Sequence, residues 1–115
     1  MTIRLAYTIK FVADMDRAVA FFRDTLGLTL KFQSPEWSEF VTGETTLALH
    51  AALERNTAGT VELAFNVPDL QAFYEEMTAR GVVFTMPPTD RQGVYLAQFK
   101  DADGALCSVG QEAKR

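Results

Sequence analysis

Ile9-Lys10-Phe11-Val12-Ala13-Asp14-Met15-Asp16-Arg17-Ala18-Val19-Ala20-Phe21-Phe22, running on to Gly27-Leu28-Thr29-Leu30, decides the fold because the chain says it twice. The second statement is Leu63-Ala64-Phe65-Asn66-Val67-Pro68-Asp69-Leu70-Gln71-Ala72-Phe73-Tyr74, running to Gly81-Val82-Val83-Phe84. Each copy is an apolar strand, an Asp, an amphipathic helix, a Gly and a second strand. The spacing from Asp to Gly differs by one residue. A duplicated unit of this kind predicts two similar halves packed about a pseudo-twofold axis, with a site where they meet.

Local signals extend the pattern in both directions. Asp14 is a good helix N-cap, and Met15, Ala18, Val19, Phe22 and Leu26 come after it as one helical stripe. Gly27 suits the left-handed position that ends a helix. Leu28 to Phe32 reads as a strand, Ser34-Pro35 breaks it, and Trp37 to Val41 and Thr46 to His50 are strands around a turn at Thr42-Gly43-Glu44. The second half repeats the order. Val61 to Val67 is a strand. Asp69 caps a helix with Leu70, Phe73, Tyr74 and Met77 on one face, and Gly81 ends it. Val82 to Met86 is a strand closed by Pro87-Pro88. Tyr95 to Phe99 and Leu106 to Val109 are strands around a turn at Asp101-Ala102-Asp103-Gly104.

The expected architecture is therefore α+β. It is one domain over residues 1–115, made of two βαβββ modules at about 1–53 and 60–111 with a polar connector at 54–59. One helix covers one face of each small sheet, and the other face is left to form a concave surface.

Composition bounds the function. The chain has 115 residues, 48% hydrophobic and 23% charged, with a net charge of -4. That balance is ordinary for a soluble globular protein. No basic stripe supports nucleic-acid binding, and none supports a membrane surface. No apolar run approaches the ~20 residues of a membrane span. The strand pattern begins so near Met1 that no signal peptide is expected. The single cysteine, Cys107, reads as a small buried hydrophobe in a reducing cytoplasm. Dinucleotide, Walker, Cys-x-x-Cys and Gly-x-Ser-x-Gly motifs are absent from the sequence.

The chain resembles the vicinal oxygen chelate superfamily, the glyoxalase/bleomycin resistance protein/dioxygenase group. The carriers are Val12-Ala13-Asp14 with Ala18 and Phe21-Phe22, Leu26-Gly27-Leu28, and Thr42-Gly43 followed by Leu47-Ala48-Leu49. In the second half they are Val67-Pro68-Asp69-Leu70, Arg80-Gly81-Val82 and Asp101-Ala102-Asp103-Gly104, with Ala102 in place of the family's Pro. Their order and spacing, rather than one motif, carry the likeness. The resemblance implies a half-open barrel of two modules and a homodimer whose subunits sometimes complete each other's sites.

It also implies where chemistry would sit. Metal-dependent members hold a divalent cation on the concave face, and the matching positions here are Tyr7, His50, Glu62 and Ser108. A phenol is a poor ligand at neutral pH, and Ser108 replaces a Glu with a neutral hydroxyl. Only His50 and Glu62 are ligand types, fewer than the three or four donors of a stable site. Any divalent metal would rest on those two, and the cofactor is left unknown. Without metal, His50 and Glu62 could work as acid and base. Strand alternation adds Ile9 and Phe11 beside Tyr7, Ala64 beside Glu62 and Leu106 beside Ser108. Trp37 and Tyr95, strand aromatics off the helix stripes, are expected at the mouth. Such a wall suits a small apolar or aromatic ligand.

Three functions compete on this reading. The first is a small-molecule-binding member that keeps the cavity without a full metal site. The alternative is a metal-dependent or acid/base lyase, isomerase or dioxygenase-like enzyme using His50 and Glu62. The third is a structural or regulatory partner with no small ligand.

Overall fold

The computed structural model describes residues 2–112. It is α+β, with strands β1 (Arg4–Val12), β2 (Thr29–Phe32), β3 (Trp37–Val41) and β4 (Thr46–Ala51) around helix α1 (Met15–Ala20). Strands β5 (Val61–Val67), β6 (Phe84–Arg91), β7 (Val94–Lys100) and β8 (Leu106–Gln111) come next with helix α2 (Leu70–Ala79). The chain divides into two compact units, one of residues 6–61 and one of residues 62–115 together with residues 1–5. Each repeats the β-α-β-β-β order that the duplicated sequence implies.

In the first unit the strands run in the order β2-β3-β4-β1, antiparallel except for the parallel β1–β4 pair. Asp14 accepts a hydrogen bond from the Arg17 backbone N–H at 3.1 Å and starts α1. The core lies between α1 and one sheet face. Val12, Val19, Phe40 and Leu49 are buried there, with Met15, Ala18, Phe22, Leu28, Leu30 and Leu47 packed against them. Burying a large side chain of this kind stabilises by roughly 1.5–3 kcal/mol.

The helical stripe departs from the expected one at its end. Phe21–Thr25 is a π-helical turn, and the Leu26 N–H bonds the Phe21 carbonyl at 3.1 Å. One extra residue in that turn rotates the succeeding side chains off the buried face. Leu26, expected in the stripe, is 55% exposed. Gly27 then takes φ +77°, and the Leu28 N–H closes on the Phe22 carbonyl at 2.9 Å.

The second unit has the order β5-β8-β7-β6, with β5 and β8 parallel. Asp69 caps α2 by accepting from the Ala72 N–H at 3.0 Å. The Leu70 N–H at its first turn is taken by the side-chain oxygen of Gln111, 3.0 Å away on β8. Val67, Leu70, Phe73, Ala97 and Val109 form the core, with Phe65, Met77, Phe84, Tyr95 and Phe99 against it. The strand expected to stop at Pro87-Pro88 instead continues to Arg91. It pairs with β7 at the end of this strand order, and its register shifts around the prolines, so their missing N–H groups break no central ladder. A tight Gln92-Gly93 turn, both residues at positive φ, joins it to β7, and Asp90 accepts the Gly93 N–H at 2.8 Å. Among the described residues no helix is long and apolar enough to cross a membrane.

Candidate functional site

Alternation along a strand sends neighbouring side chains to opposite faces, so the α1 core fixes what faces the other way. Phe40, Leu47 and Leu49 pack toward α1. Their neighbours Trp37 and Glu39 on β3, Ala48 and His50 on β4, and Tyr7, Ile9 and Phe11 on β1 share the face away from it. The register brings them together. Trp37 pairs with His50, Glu39 with Ala48, Ile9 with Ala48, and Phe11 with His50.

The result is a connected aromatic cluster. The Tyr7 and Trp37 rings are 5.8 Å apart at 71°, and Trp37 and His50 are 5.9 Å apart at 88°. Phe11 and His50 lie 5.1 Å apart at 45°. Edge-to-face pairs of this kind contribute about 0.5–1.5 kcal/mol each beyond area burial. Ser34 pins the start of β3. Its hydroxyl donates to the Trp37 carbonyl, and the Trp37 N–H donates back to it at 3.1 Å.

The Trp37 indole leans along its own strand, where Nε1 donates to Glu39 Oε2 at 2.8 Å. Glu39 is 8% exposed. The Lys31 ammonium stands 3.9 Å from its other oxygen. Nothing in the sequence marks Glu39 as a site residue except its two-residue spacing from Trp37, which places both on the same face. His50 Nδ1 is 2.6 Å from the Ala51 carbonyl oxygen. A carbonyl only accepts, so Nδ1 carries the proton and neutral His50 keeps its lone pair on Nε2.

The second unit gathers a separate polar pair. Glu62, 7% exposed, accepts a short hydrogen bond from the Ser108 hydroxyl. Ser108 pairs with Ala64 on one side and Gln98 on the other, which places these residues on the face away from α2. Leu106 shares that face by alternation. Tyr95 does not. It packs against the α2 core with Ala97 and Phe99 (same strand parity), so the mouth position expected of it is on the wrong face. Gln98 is a further polar side chain there that sequence reading did not single out. Next to it, Gly110 leaves space that Asn66 Oδ1 occupies, 3.1 Å from where a Cβ would stand.

The side chains that could hold a divalent cation already have partners in this structure. The Ser108 proton is committed to Glu62, Glu39 is engaged by an indole N–H, and His50 offers one nitrogen. Among the described residues no three His, Cys, Asp or Glu side chains come together. Cys107 is buried on the α2 side. Its thiol is pushed above its ordinary value first by burial and then by the Asp101 and Glu62 carboxylates.

Comparison with known proteins places this geometry. The sequence model of the Glyoxalase/Bleomycin resistance protein/Dioxygenase superfamily matches residues 4–109. The chain belongs to that superfamily. A similar sequence is the uncharacterized protein YurT of Bacillus subtilis, 28% identical over 126 residues that cover 95% of this chain and 99% of YurT. Among solved structures, a hypothetical protein from Bacillus halodurans superposes with a TM-score of 0.84 at 16% identity, covering 100% of this chain and 98% of that one. Methylmalonyl-CoA epimerase from Mycobacterium tuberculosis gives 0.78 at 20% identity, covering 96% and 88%. At those identities the likeness is one of fold, and function must be argued from this member's own side chains.

Proposed function

We propose that this superfamily member is a small-molecule-binding protein that holds an apolar or aromatic ligand without a full metal site. The observation that carries the reading is the Tyr7–Trp37–His50–Phe11 cluster on the sheet face away from α1. Flat rings set at steep angles to one another present faces and edges to a planar guest. On this reading the Ser108 hydroxyl serves to hold the Glu62 carboxylate, to which it donates a short hydrogen bond.

A homodimer in a reducing compartment completes the proposal. The lone thiol, Cys107, is buried and has no disulfide partner to seek.

Trp37 is the only tryptophan of the chain, so its fluorescence reports on this site without a label. Titration against a panel of hydrophobic antibiotics and aldehydes should shift its emission and raise thermal stability together. A ligand at 100 times its Kd adds about 2.7 kcal/mol. The response should vanish in His50→Ala and Trp37→Ala. Thermal stabilisation that survives both substitutions would place the ligand elsewhere and end the reading.

The burial of Glu62 against Ser108 favours a second reading, an acid/base enzyme in which Glu62 moves a proton. Turnover of a carbonyl substrate that is lost in Glu62→Gln and kept in His50→Ala would select it.

A further inference from the structure

Glu39 is an unusual residue for the middle of an aromatic face. A carboxylate taken out of water is costly unless charge and hydrogen bonds compensate it. Glu39 is 8% exposed, yet it meets one indole N–H at 2.8 Å and one ammonium at 3.9 Å. That ammonium belongs to Lys31, whose side chain is 61% exposed and loosely held at the limit of ion pairing. A carboxylate has about four acceptor sites, so it can accept a cationic donor in addition to the indole N–H. The aromatic ring faces on this side of the sheet share one electrostatic character. The faces of indole, phenol and phenyl rings are negative, and they attract cations within about 6 Å of their centroids. The net charge of -4 acts in the same direction at longer range.

We infer that the first module's aromatic face selects a small organic cation, a protonated or quaternary amine on an apolar or aromatic body. Its charge meets Glu39 in the place Lys31 approaches, and its body lies against Trp37 and His50. This rests on the binding function proposed above and names the class of ligand. Lys31 is then a competitor for the carboxylate rather than part of the grip. The two side chains of the pair should therefore have opposite effects on binding, which a purely structural ion pair does not predict.

The test uses benzylamine, a cation at neutral pH, and benzyl alcohol, its neutral counterpart of nearly the same shape. Binding is read by Trp37 fluorescence and by chemical shifts of the aromatic protons. The amine should bind about tenfold more tightly than the alcohol, a ratio of one good cation–aromatic and carboxylate contact. Added salt should narrow the gap. Glu39→Gln should bring the ratio close to one without weakening the alcohol. Lys31→Met, an exposed substitution, should tighten the amine alone, and it keeps the test decisive if the Glu39 variant does not fold. Equal binding of amine and alcohol, or weaker amine binding in Lys31→Met, overturns the cation and leaves the apolar site standing. No response of Trp37 to either compound removes the site itself.

Discussion

Removing the indole N–H while keeping a ring at position 37 tests the packing of the site directly. Trp37→Phe retains an aromatic body against Tyr7 and His50 but leaves Glu39 Oε2 without the donor now at 2.8 Å. A hydrogen bond to a charged group contributes about 1.5–3 kcal/mol, and the smaller ring forfeits about 1 kcal/mol of burial. The expected loss is about 2.5–4 kcal/mol, a large share of the stability of a small domain. Glu39→Met should behave differently. It removes the buried charge but leaves the indole N–H without its acceptor, so the two effects should offset and the net change should be small. In that background Trp37→Phe should cost only the burial, leaving a coupling of about 1.5–3 kcal/mol between the two positions. Urea unfolding must be tracked by far-UV circular dichroism, since Trp37→Phe leaves the chain without a tryptophan. Equal m-values across the four proteins make the midpoints comparable. If the two changes add to within about 0.3 kcal/mol, the indole does not hold Glu39 and the account of this face is wrong.

Three further outcomes are expected. Asp14→Ala and Asp69→Ala each remove a side-chain cap from a helix N-terminus and should lower the urea-derived stability by about 0.5–2 kcal/mol, while Asn at either position should retain most of it. Gln111→Leu leaves the Leu70 N–H unsatisfied in a half-buried place and should cost about 1–3 kcal/mol, with faster amide exchange at Leu70 as its local signature. Cys107 should resist a disulfide reagent at pH 8 until the protein is unfolded, because burial first and the nearby carboxylates second favour its protonated thiol. A raised thiol value means that the contribution to stability is intact below the ordinary thiol range of about 8.5 and falls as pH rises through the folded-state value. The alkaline decline in melting temperature should therefore be shallower in Cys107→Ala.

Much of the fold was legible because it is written in local chemistry. Asp14 and Asp69 cap helices where the sequence places them, Gly27 and Gly81 turn with positive φ, and the apolar stripes after each cap do face a sheet. The features that escaped depended on geometry that residue types do not encode. A π-helical turn has no composition of its own, so nothing announced that Leu26 would leave the stripe. Pro87-Pro88 reads as a break unless one knows that its strand ends the strand order and pairs with β7. The site divides in the same way. Tyr7, Ile9, Phe11, Trp37 and His50 come to one face because strand parity can be counted from the sequence. Tyr95 escapes such counting because its face is set by Ala97 and Phe99, its strand neighbours of the same parity, which pack into the α2 core.

Glu39 shows why the site is harder to read than the scaffold. In sequence it is one of 15 acidic residues, and a solvated Glu on a strand needs no explanation. Its meaning comes from two facts that only the folded chain supplies: it is buried, and a tryptophan two residues earlier bends back to bond it. A core built only for stability would have no reason to keep a carboxylate where Phe40 and Leu49, on the opposite face of the same strands, are fully buried hydrocarbons. The two faces of one sheet therefore answer to different demands. The face toward α1 is filled with hydrocarbon because packing alone decides it. The face with Trp37, Glu39 and His50 retains ionisable and hydrogen-bonding groups at a cost in folding free energy, which the proposed ligand would offset. On this reasoning Glu39→Met is the decisive single substitution, since the same change should leave the stability of the free protein nearly unchanged and abolish its preference for a cation. A folded Glu39→Met protein that still discriminated benzylamine from benzyl alcohol would break the link between the carboxylate and the cation.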